Sequence, residues 1–573
     1  MVISLDPKKR RVGFKNLKLA FPEKSAPELN RILKKSFVNF GLSLVETLIL
    51  PRVFPLLAMK GFEKIPPAGG LIVGIHEGNW ELNCSYFAKQ RGFAVLAKRQ
   101  KNKGLDKFLN EIRDESGLKV CFSLKTLVRR FEEGCVLGVV IDHGAENNAP
   151  LIDFFNHPVP TPRGAVFIAR KLKIKIYPYF TVREKGFHNT LEIGDAIDPQ
   201  GKTDEEVLLS LHAVYEELLY RNPEMYIWWF KRFKRKNDIT AVILSDGKAG
   251  HYKQSKAFLS FLEETEYQVK SHVVDVKYRN QLSRVMMELY AFLSSKRCLG
   301  RGEFLKLFLS PSTMKILDSL APDVVISAGS FVAAVNRVYS HYLGAKSVVL
   351  LRANIPLKKF DLAILPEHDR VNLDGGVKIK GSLFYPAALD DKFKICKEKF
   401  NLSDKKKIAV FIGGALFDRA MFSESLKLFL NQLRKFTEKK GYKILFSTSR
   451  RTSSEDEKLI ATELSTFANC EAVVFANRAN YDFVFDGFVK SAEIVFVSGE
   501  SISMISEVLS LQKPCVALLL ERLDSKYNVF LESVKDDAVI LASPFAIDEI
   551  KPAASTVFDQ NRKKIKEAIS TLF

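Results

Sequence analysis

The chain has 573 residues, and at about 150 residues per domain this length predicts three or four domains. Its 47% hydrophobic and 27% charged residues are typical of a packed globular protein and exclude a disordered or fibrous chain. The net charge of +21 favours anionic partners: nucleic acid, an acidic membrane, acyl carrier protein or phosphorylated metabolites. Seven cysteines, none closer than 14 positions apart, exclude a disulfide scaffold and a CxxC zinc site.

Nothing in the sequence predicts a transmembrane helix or a signal peptide. No 18 consecutive residues are apolar, and the best candidate, residues 42–59, is interrupted by two charged residues and two prolines. The N-terminal run LDPKKRRVGFKNLK is basic, and each surface Lys or Arg adds roughly 1 kcal/mol of attraction to anionic headgroups. We therefore predict a peripheral protein on an anionic membrane surface, facing the reducing cytosol.

A basic run at residues 231–237, KRFKRKN, divides the chain. The apolar strand ITAVILS and a glycine-containing turn follow it directly, as at the start of a new domain. Residues 1–237 carry 39 basic and 26 acidic side chains (+13), and the rest of the chain carries 48 and 40 (+8). We predict a first domain over residues 1–237, in which the charge excess is concentrated.

Strands and helices alternate through this first segment. In chain order we predict a buried strand GGLIVGIH, a helix over 79–90, a strand FAVLAKR, a helix LDKFLNEIRDES, a strand CVLGVVID and a helix GAVFIARKL. KLKIKIYPYFTV follows with the period of two that a half-exposed strand requires. This order is typical of an α/β sheet with parallel strand pairs.

The second segment repeats the pattern twice. One sheet is predicted from ITAVILS, DVVISAG, KSVVLLRA and DLAILPE, and another from KKIAVFIGG, YKILFSTS, EAVVFA, EIVFVSG and CVALLL. We predict two doubly wound, Rossmann-like domains over residues 238–395 and 396–573. Two such domains enclose a cleft, in which ligands bind at the carboxyl ends of the strands.

The segment GIHEGNWELN places His76 at the end of a buried strand and Glu81 where the next helix begins. Imidazole is the usual base for removing a hydroxyl proton at neutral pH, and a carboxylate on its other ring nitrogen fixes the tautomer. No serine or cysteine nucleophile stands in a recognisable elbow nearby, so the hydroxyl to be activated would belong to the substrate. The pattern indicates acyl transfer to an alcohol; the alternative is a structural histidine at a strand end.

Residues 9 to about 236 resemble the lauroyl/myristoyl transferase family, the late acyltransferases of lipid A assembly. The motifs RxxxxNLKLAFPEKS, HEGNWE, IRDESG, IDHGA, FFNHPVPTPRGAVFIA and PEMYIWWFKRFK carry the resemblance, in the family's order. The resemblance implies that His76 is the base and Glu81 its orienting acid. The other residues that it places in the site are Arg113, Asp142 and Arg163.

Two further features of this region bear on substrate. An arginine of the site would hold the thioester oxyanion or an acceptor phosphate, although Arg113 alone is also compatible with a surface helix cation. Asn79 and Trp80 are expected to shape the turn and the wall at the substrate. The sequence departs from the family in lacking its apolar membrane helix and in having Asp142-His143 where members tend to have Asp-Gln. Without the membrane helix, we expect the basic N-terminus and residues 42–59 to contact the membrane interface. The change at His143 leaves open which acceptor is used.

Polar turns follow several strands of the second segment. LSDGKAGHYKQSKAF is a strand, a glycine turn and a helix start, where backbone amides favour an anion, and STSRRTSS offers two arginines for a diphosphate. Each turn alone is compatible with a solvated loop, but their succession after strands favours one shared site. The candidate binding residues in these turns are Asp246, Gly247, Gly250, His251, Gln254, His368, Gly413, Gly414, Ser449, Arg450, Arg451, Thr452, Ser501, Ser503 and Glu507.

Residues 239 to about 550 resemble the family named for plant mitochondrial fission proteins, whose bacterial members look like GT-B glycosyltransferases. SDGKAGHYKQ, ILPEHD, FIGG, STSRRT and SGESISMISEVL carry the resemblance. It implies a transferase class, with a nucleotide diphosphate at a helix start and its ribose held by a glutamate, here Glu507. It implies no particular substrate.

The sequence supports one leading hypothesis and two alternatives. The first is a bifunctional enzyme of envelope glycolipid assembly at the cytoplasmic face of the bacterial inner membrane. It would move an acyl chain from acyl carrier protein or coenzyme A to a lipid A-type hydroxyl, and a sugar from a nucleotide donor to a related lipid. The second makes the C-terminal half a non-catalytic module that binds a nucleotide sugar or a protein. The third hypothesis is nucleic-acid binding, which only the net charge suggests, because the sequence contains no nucleic-acid recognition motif.

No cofactor is expected, and neither is a metal. The nine histidines are scattered without ligand spacing, and the glycosyltransferase-like half has no clear DxD motif.

Overall fold

The computed structural model describes residues 7–99, 102–143, 149–230, 232–233, 238–294, 301–373, 375–386, 389–479 and 481–573. The chain divides into two compact units, Met1–Lys236 with Leu317–Ala321, and Asn237–Ile316 with Pro322–Phe573. Of the basic run at 231–237, where we predict a domain boundary, only residues 232 and 233 are described.

The first unit is an α/β domain built on one large sheet. Its strands are β1 (Leu57–Lys60), β2 (Leu71–Gly74), β3 (Phe93–Leu96), β4 (Lys119–Cys121), β5 (Val136–Val140), β6 (Leu151–Phe154), β7 (His157–Pro160), β8 (Ile176–Lys185) and β9 (His188–Ile193). Its helices are α1 (Pro7–Ala20), α2 (Ala26–Leu48), α3 (Leu50–Val53), α4 (Trp80–Gln90), α5 (Lys103–Glu115), α6 (Leu124–Glu132), α7 (Gly164–Leu172) and α8 (Asp204–Arg221).

The sheet has the strand order β1-β9-β8-β2-β5-β3-β4, and among its described pairs only β8–β9 is antiparallel. β2 lies at its centre and is buried throughout, as the unbroken apolar run LIVG predicts. β6 and β7 form a separate hairpin. The predicted α/β class is confirmed. The sequence analysis did not predict β4, β6, β7 and β9, of which β4, β6 and β7 have only three or four residues.

Helices α1 and α2 are joined to the last segment of the unit by side-chain hydrogen bonds. The Asn16 side-chain amide donates to the carbonyl oxygens of Trp228 and Phe230. On α2, Ser36 and Asn39 donate to other carbonyl oxygens of the same segment, residues 224–230. Residues 7–40 are therefore part of the packed domain.

The second half of the chain contains two parallel sheets. Its strands are β10 (Asp238–Ser245), β11 (Gln268–Asp275), β12 (Val324–Ala328), β13 (Lys346–Leu350), β14 (Leu362–Pro366), β15 (Val377–Ile379), β16 (Lys407–Ile412), β17 (Lys443–Thr448), β18 (Cys470–Val474), β19 (Ile494–Ser498), β20 (Cys515–Leu519) and β21 (Ala538–Ala542). Its helices are α9 (Ala249–Glu263), α10 (Gln281–Leu293), α11 (Arg301–Phe308), α12 (Pro311–Asp318), α13 (Ser330–Leu343), α14 (Leu389–Phe400), α15 (Arg419–Lys440), α16 (Ser454–Leu464), α17 (Val484–Ser491), α18 (Ile502–Ser510), α19 (Ser525–Ser533) and α20 (Val557–Leu572).

Both sheets have Rossmann-like strand orders, β11-β10-β12-β13-β14-β15 and β18-β17-β16-β19-β20-β21. The order reverses between β10 and β12 in the first sheet and between β16 and β19 in the second. In open α/β sheets, ligands bind outside the carboxyl ends of the strands at such a reversal. The two predicted doubly wound domains are confirmed, and their topology marks two places for a site.

The last helix, α20, packs on the first of these two sheets. Ile565, Ile569 and Leu572 belong to the same core as Ile239 and Phe258. Their spacing gives α20 one apolar stripe, which must be buried, but the sequence does not say against which sheet. The range predicted for the second Rossmann-like domain, 396–573, therefore includes a helix that completes the first.

Within the described residues, no single helix is both long and apolar enough to cross a bilayer. Only when taken together are two helices long and apolar enough, namely Ala26–Leu48 and Leu50–Leu56, and these are bent by 108° relative to each other.

Candidate functional site

A histidine–aspartate pair lies at the carboxyl edge of the first sheet. His76 follows β2 and Asp142 follows β5, and these are neighbouring parallel strands, so their carboxyl ends meet. His76 Nδ1 is 2.8 Å from Asp142 Oδ1, and the His76 backbone N–H donates to Asp142 Oδ2 at 2.9 Å. The Asp142 side chain is 2% exposed and the His76 side chain 21%. Asp142 occupies Nδ1, which leaves Nε2 as the ring nitrogen for a substrate hydroxyl.

The electrostatics of the pair favour the charged imidazolium. Burial lowers the pKa of His76, but the Asp142 carboxylate outweighs it, and the pKa of His76 is raised above its usual value. Burial alone would raise the pKa of Asp142; His76, His143 and Arg232 instead hold it well below its usual range. Asp142 is therefore a carboxylate at neutral pH, as a residue that orients a base must be.

The acid that orients His76 is Asp142 and not Glu81, which corrects the sequence prediction. Glu81 forms a two-pronged ion pair with Arg113: Arg113 Nε lies 2.9 Å from Oε2, and Nη2 lies 2.6 Å from Oε1. Glu81 is in the first turn of α4 and Arg113 in the last turn of α5, so the pair ties two helices together. The predicted oxyanion role of Arg113 is replaced by this contact, because its guanidinium is committed to Glu81.

The arginine beside Asp142 is Arg232 and not Arg163. Arg163 begins α7 and is half-exposed, with its guanidinium 3.7 and 3.8 Å from the carboxylates of Asp204 and Glu205. The buried Arg232 donates to the carbonyl oxygen of Asp142 at 3.3 Å. Arg232 stands inside the PEMYIWWFKRFK motif, but a cation within a basic run carries no sequence signal that would distinguish it.

Aromatic rings surround His76. Trp80 packs edge-on to the imidazole with ring centroids 5.1 Å apart, and His143 does so at 4.6 Å. Phe230 lies 4.1 Å from His143 and 5.9 Å from His76. Burial lowers the pKa of His143. Trp80, His143 and Phe230 therefore form an aromatic rim around His76.

Asn79 shapes the turn before α4. It is buried and caps α4, its Oδ1 accepting from the Leu82 backbone N–H at 3.1 Å. Its amide nitrogen donates to Glu46 Oε2 at 3.0 Å, and Glu46 is itself paired with Arg183. Asn79 thereby fixes the helix that carries Trp80.

Three side chains of this site have the donor set of a metal site. The ligand atoms of His76, Asp142 and His143 all lie within 4.8 Å of one another. Two imidazoles and a carboxylate suit Zn²⁺ and related cations. A cation here would compete with the hydrogen bond between His76 Nδ1 and Asp142. The sequence did not reveal this cluster, because the fold brings together residues that are 66 positions apart.

A second histidine–aspartate pair lies at the strand-order reversal of the β10 sheet. Asp246 follows β10, and its Oδ2 is 2.8 Å from Nδ1 of His251, in the first turn of α9. The Asp246 side chain is 2% exposed and the His251 side chain 26%. Gly247 has φ +80°, a left-handed turn that lets the chain pass from strand to helix. The predicted Asp246 and His251 are thus brought together.

A glycine makes room for the His251 ring. Gly329 follows β12 with φ +75°, and a Cβ at this position would come 2.5 Å from His251 Cε1. Only glycine combines this backbone conformation with so close an approach. The imidazole is therefore held between Asp246 and the backbone of the neighbouring strand end.

The loops at the β16–β19 reversal converge as predicted. The Gly413 N–H donates to Ser498 Oγ at 2.7 Å, and the Gly414 N–H donates to Glu500 Oε1 at 3.1 Å. Thr452 Oγ1 donates to the Ile412 carbonyl, and Arg451 Nη2 lies 3.5 Å from Ser501 Oγ. Ser449 is tied into the same turn through its N–H to Thr452 Oγ1 at 3.0 Å.

Two buried glutamates of this region escaped the sequence analysis. Glu500 lies against Gly413, where a Cβ would come 1.7 Å from its Oε1, and burial raises its pKa. Glu521 accepts the backbone N–H groups of three consecutive residues, 416–418, at 2.7 to 2.9 Å. The protein's own carboxylates therefore occupy several of the amides that an anion would use. Their only sequence signal is a position directly after a strand.

Glu507 lies at the cleft between the two Rossmann-like domains. Its Oε2 is 3.5 Å from Lys253 Nζ on α9, and Ser503 Oγ is 3.4 Å from its Oε1. Burial raises the pKa of Glu507. Lys253, which sequence reasoning missed, thus spans the cleft from the helix that also carries His251.

The remaining predicted residues are placed as follows. His368 follows β14 and is buried against Phe530, with ring centroids 5.4 Å apart, and burial lowers its pKa. Gly250 and Gln254 lie in the first two turns of α9. Arg450 is exposed beside Arg451. His368 therefore packs at the carboxyl end of β14 against α19.

These features define an α/β domain with a histidine–aspartate pair, followed by two Rossmann-like domains. Residues 249–564 match the sequence model of the family described as mitochondrial fission ELM1, and the chain belongs to this family. Residues 2–235 match the family described as bacterial lipid A biosynthesis acyltransferase.

Individual proteins are also similar to parts of the chain. A lipid A biosynthesis lauroyltransferase of Escherichia coli is 23% identical over 244 residues, 40% of this chain and 79% of the relative. An uncharacterized protein of Rickettsia prowazekii, RP120, is 27% identical over 263 residues, which are 39% of this chain and 72% of the relative.

Solved structures similar to the chain include a UDP-GlcNAc 2-epimerase from Methanocaldococcus jannaschii, at 15% identity and TM-score 0.35, covering 58% of this chain and 99% of that one. The ADP-heptose lps heptosyltransferase II of E. coli has 12% identity and TM-score 0.34, and the similarity covers 58% of this chain and 98% of that one.

Proposed function

We propose that the first unit transfers a fatty acyl chain from an acyl carrier protein or coenzyme A thioester to a hydroxyl of a lipid A-type glycolipid, at the cytoplasmic face of the inner membrane. The His76–Asp142 pair is the observation that carries this proposal. The family match of residues 2–235 supports the reaction class. The aromatic rim around His76 suits an acyl chain, because it offers apolar surface beside the base.

The chemistry follows from the pair. His76 Nε2 takes the proton of the acceptor hydroxyl as its oxygen attacks the thioester carbonyl carbon. The tetrahedral intermediate collapses with cleavage of the carbon–sulfur bond, and the imidazolium returns the proton to the leaving thiolate. Asp142 holds the ring through Nδ1 and stabilises the imidazolium while it carries the proton.

The test offers the purified protein a radiolabelled acyl-carrier-protein thioester and a Kdo-bearing lipid A precursor in detergent. Label should move to the lipid with the wild-type protein and with His188→Ala, which removes an exposed histidine of the same unit. His76→Ala should transfer about 10²–10⁴-fold less. Equal transfer by His76→Ala would remove this residue as the base, and no transfer from any thioester by the wild type would contradict the proposal.

We propose further that the two Rossmann-like domains transfer a sugar from a nucleotide donor to a related lipid. The His251–Asp246 pair at the β10–β12 reversal favours this activity over a binding module, because a binder has no use for an oriented base. Arg451 and Ser501, beside the helix start of α18, are the groups for the donor's diphosphate. Membership of the family matched by residues 249–564 leaves the sugar open.

Release of nucleoside diphosphate from a panel of nucleotide sugars separates the two possibilities. A glycosyltransferase releases diphosphate with a lipid acceptor present, and His251→Ala abolishes the release. A binding module protects residues 449–452 from hydrogen exchange and releases none, which would refute this second proposal.

A further inference from the structure

Helix α10 presents an apolar face to solvent. Asn280 caps it, its side-chain oxygen accepting from the Ser283 N–H at 2.8 Å. The helix buries the small or flexible residues Ser283, Met287 and Ala291. Six large apolar side chains on the other face are 41–71% exposed: Leu282, Val285, Met286, Leu289, Phe292 and Leu293.

This distribution is the reverse of that of an ordinary surface helix, which turns its apolar stripe to the core and its polar face to water. The exposed residues recur at intervals of three and four, so they form one continuous stripe. Contiguous exposed apolar surface of this kind marks an interaction site.

The rest of the helix is firmly held. Lys359 Nζ donates to the carbonyl oxygens of Ala291 and Ser294 at the C-terminal end of α10, at 3.3 and 3.1 Å. Tyr290 stacks on Phe304 of α11 with ring centroids 3.9 Å apart. α10 is therefore a docked element whose apolar stripe stays outside the core, and the neighbouring α11 adds the exposed Leu307.

The sequence on either side of the helix is basic, which favours an anionic partner. Residues 270–306 contain eight Lys or Arg and three Asp or Glu. A second copy of this chain, packed stripe to stripe, would bring two basic segments together. An anionic bilayer instead offers acyl chains for the stripe and negative headgroups for the flanking cations.

We infer that α10 lies in the interface of an anionic bilayer, with its stripe of six apolar residues inserted among the lipids. This deepens the proposed function, since it places the glycosyltransferase-like half at the surface where a lipid acceptor resides. It adds a contact distinct from the basic N-terminus and residues 42–59.

The experiment measures binding of the full-length protein to sedimented vesicles of phosphatidylcholine with and without phosphatidylglycerol. Leu289→Glu with Phe292→Glu puts two carboxylates into the stripe at exposed positions. Leu428→Glu with Leu209→Glu is the matched control, because these leucines are exposed to a similar extent on α15 and α8. Thermal unfolding of both double variants verifies that each is folded.

The wild type and the control should bind the anionic vesicles, and the α10 variant should bind about tenfold or more weakly. Equal binding by the α10 variant, or loss of a wild-type dimer with no change in vesicle binding, would overturn the inference. The vesicles contain no acceptor or donor, so failure of either proposed transferase activity does not alter this result.

Discussion

The two histidine–aspartate pairs have nearly the same geometry but are built differently. In each, Nδ1 lies 2.8 Å from a carboxylate oxygen, and the aspartate side chain is 2% exposed. His76 and Asp142 come from neighbouring strands and are 66 residues apart, whereas Asp246 and His251 belong to one strand–turn–helix. One arrangement of a base and its orienting acid can therefore arise from strand pairing or from a single loop.

The surroundings of the two pairs differ in a way that suits different substrates. The rings of Trp80, His143 and Phe230 surround His76. His251 instead lies against the backbone of Gly329, across the cleft from loops rich in amide, hydroxyl and guanidinium groups. The first environment suits an acyl chain, and the second a phosphorylated sugar donor.

Removing each base in turn should give the largest difference between the activities of the two sites. His76→Ala should lower acyl transfer by about 10²–10⁴-fold and leave nucleoside diphosphate release unchanged, and His251→Ala should do the reverse, because general base catalysis contributes this much. Rates of both reactions on the same preparations check the prediction. Loss of both activities in either variant would show that the pairs are not independent.

Gly329→Ala tests the support of the second pair. The new Cβ would meet His251 Cε1 at 2.5 Å, and alanine is strained at φ +75°. A strain of about 1–3 kcal/mol that displaces the ring corresponds to roughly 5- to 150-fold in the rate of sugar transfer. Gly441→Ala is the control, because its φ of +71° is similar and a Cβ there meets nothing within 4 Å. Equal rates of sugar transfer for the two variants would show that the position of the His251 ring does not determine the activity.

The pH profile tests the electrostatics of the first pair. His76 acts as a base only when neutral, and Asp142 raises its pKa, so acyl transfer should fall with decreasing pH through a limb above the usual histidine value of about 6.5. Asp142→Asn removes the carboxylate charge, and the limb should move to lower pH together with a lower maximal rate. A limb that stays in place would mean that another group titrates.

Zn²⁺ should have the smallest effect and act on one pair only. Binding by His76, Asp142 and His143 would remove the base, so Zn²⁺ should inhibit acyl transfer, and a chelator should restore it. The positive charge of Arg232 beside Asp142 opposes the cation, and we expect weak binding. His143→Gln should relieve the inhibition. Persistent inhibition in that variant would place the metal elsewhere.

The larger parallel sheets could be predicted from the sequence because their buried strands are uninterrupted apolar runs. Most edge strands could not, although β18 was predicted: β11, QVKSHVVD, is half-exposed and mixes polar with apolar residues. Helix α20 has a clear apolar stripe, but its partner sheet depends on the path of the chain back across the cleft.

Site residues could be predicted where they lie in one motif. Asp246 and His251 share a single turn, so the sequence displays their proximity. The contact between His76 and Asp142 requires the pairing of β2 with β5, which no local pattern specifies. Glu81 was the nearer carboxylate in sequence, but its position in the first turn of α4 directs it to Arg113.

The hydrogen bonds from Asn16, Ser36 and Asn39 to the segment 224–230 bear on how the protein is made. During synthesis, the first two helices leave the ribosome long before their partners exist. Phe230 and Arg232, beside the His76–Asp142 pair, also come from the end of this unit. The acyltransferase-type site therefore forms only after nearly all of that unit has been translated, and nascent chains released before this point lack it.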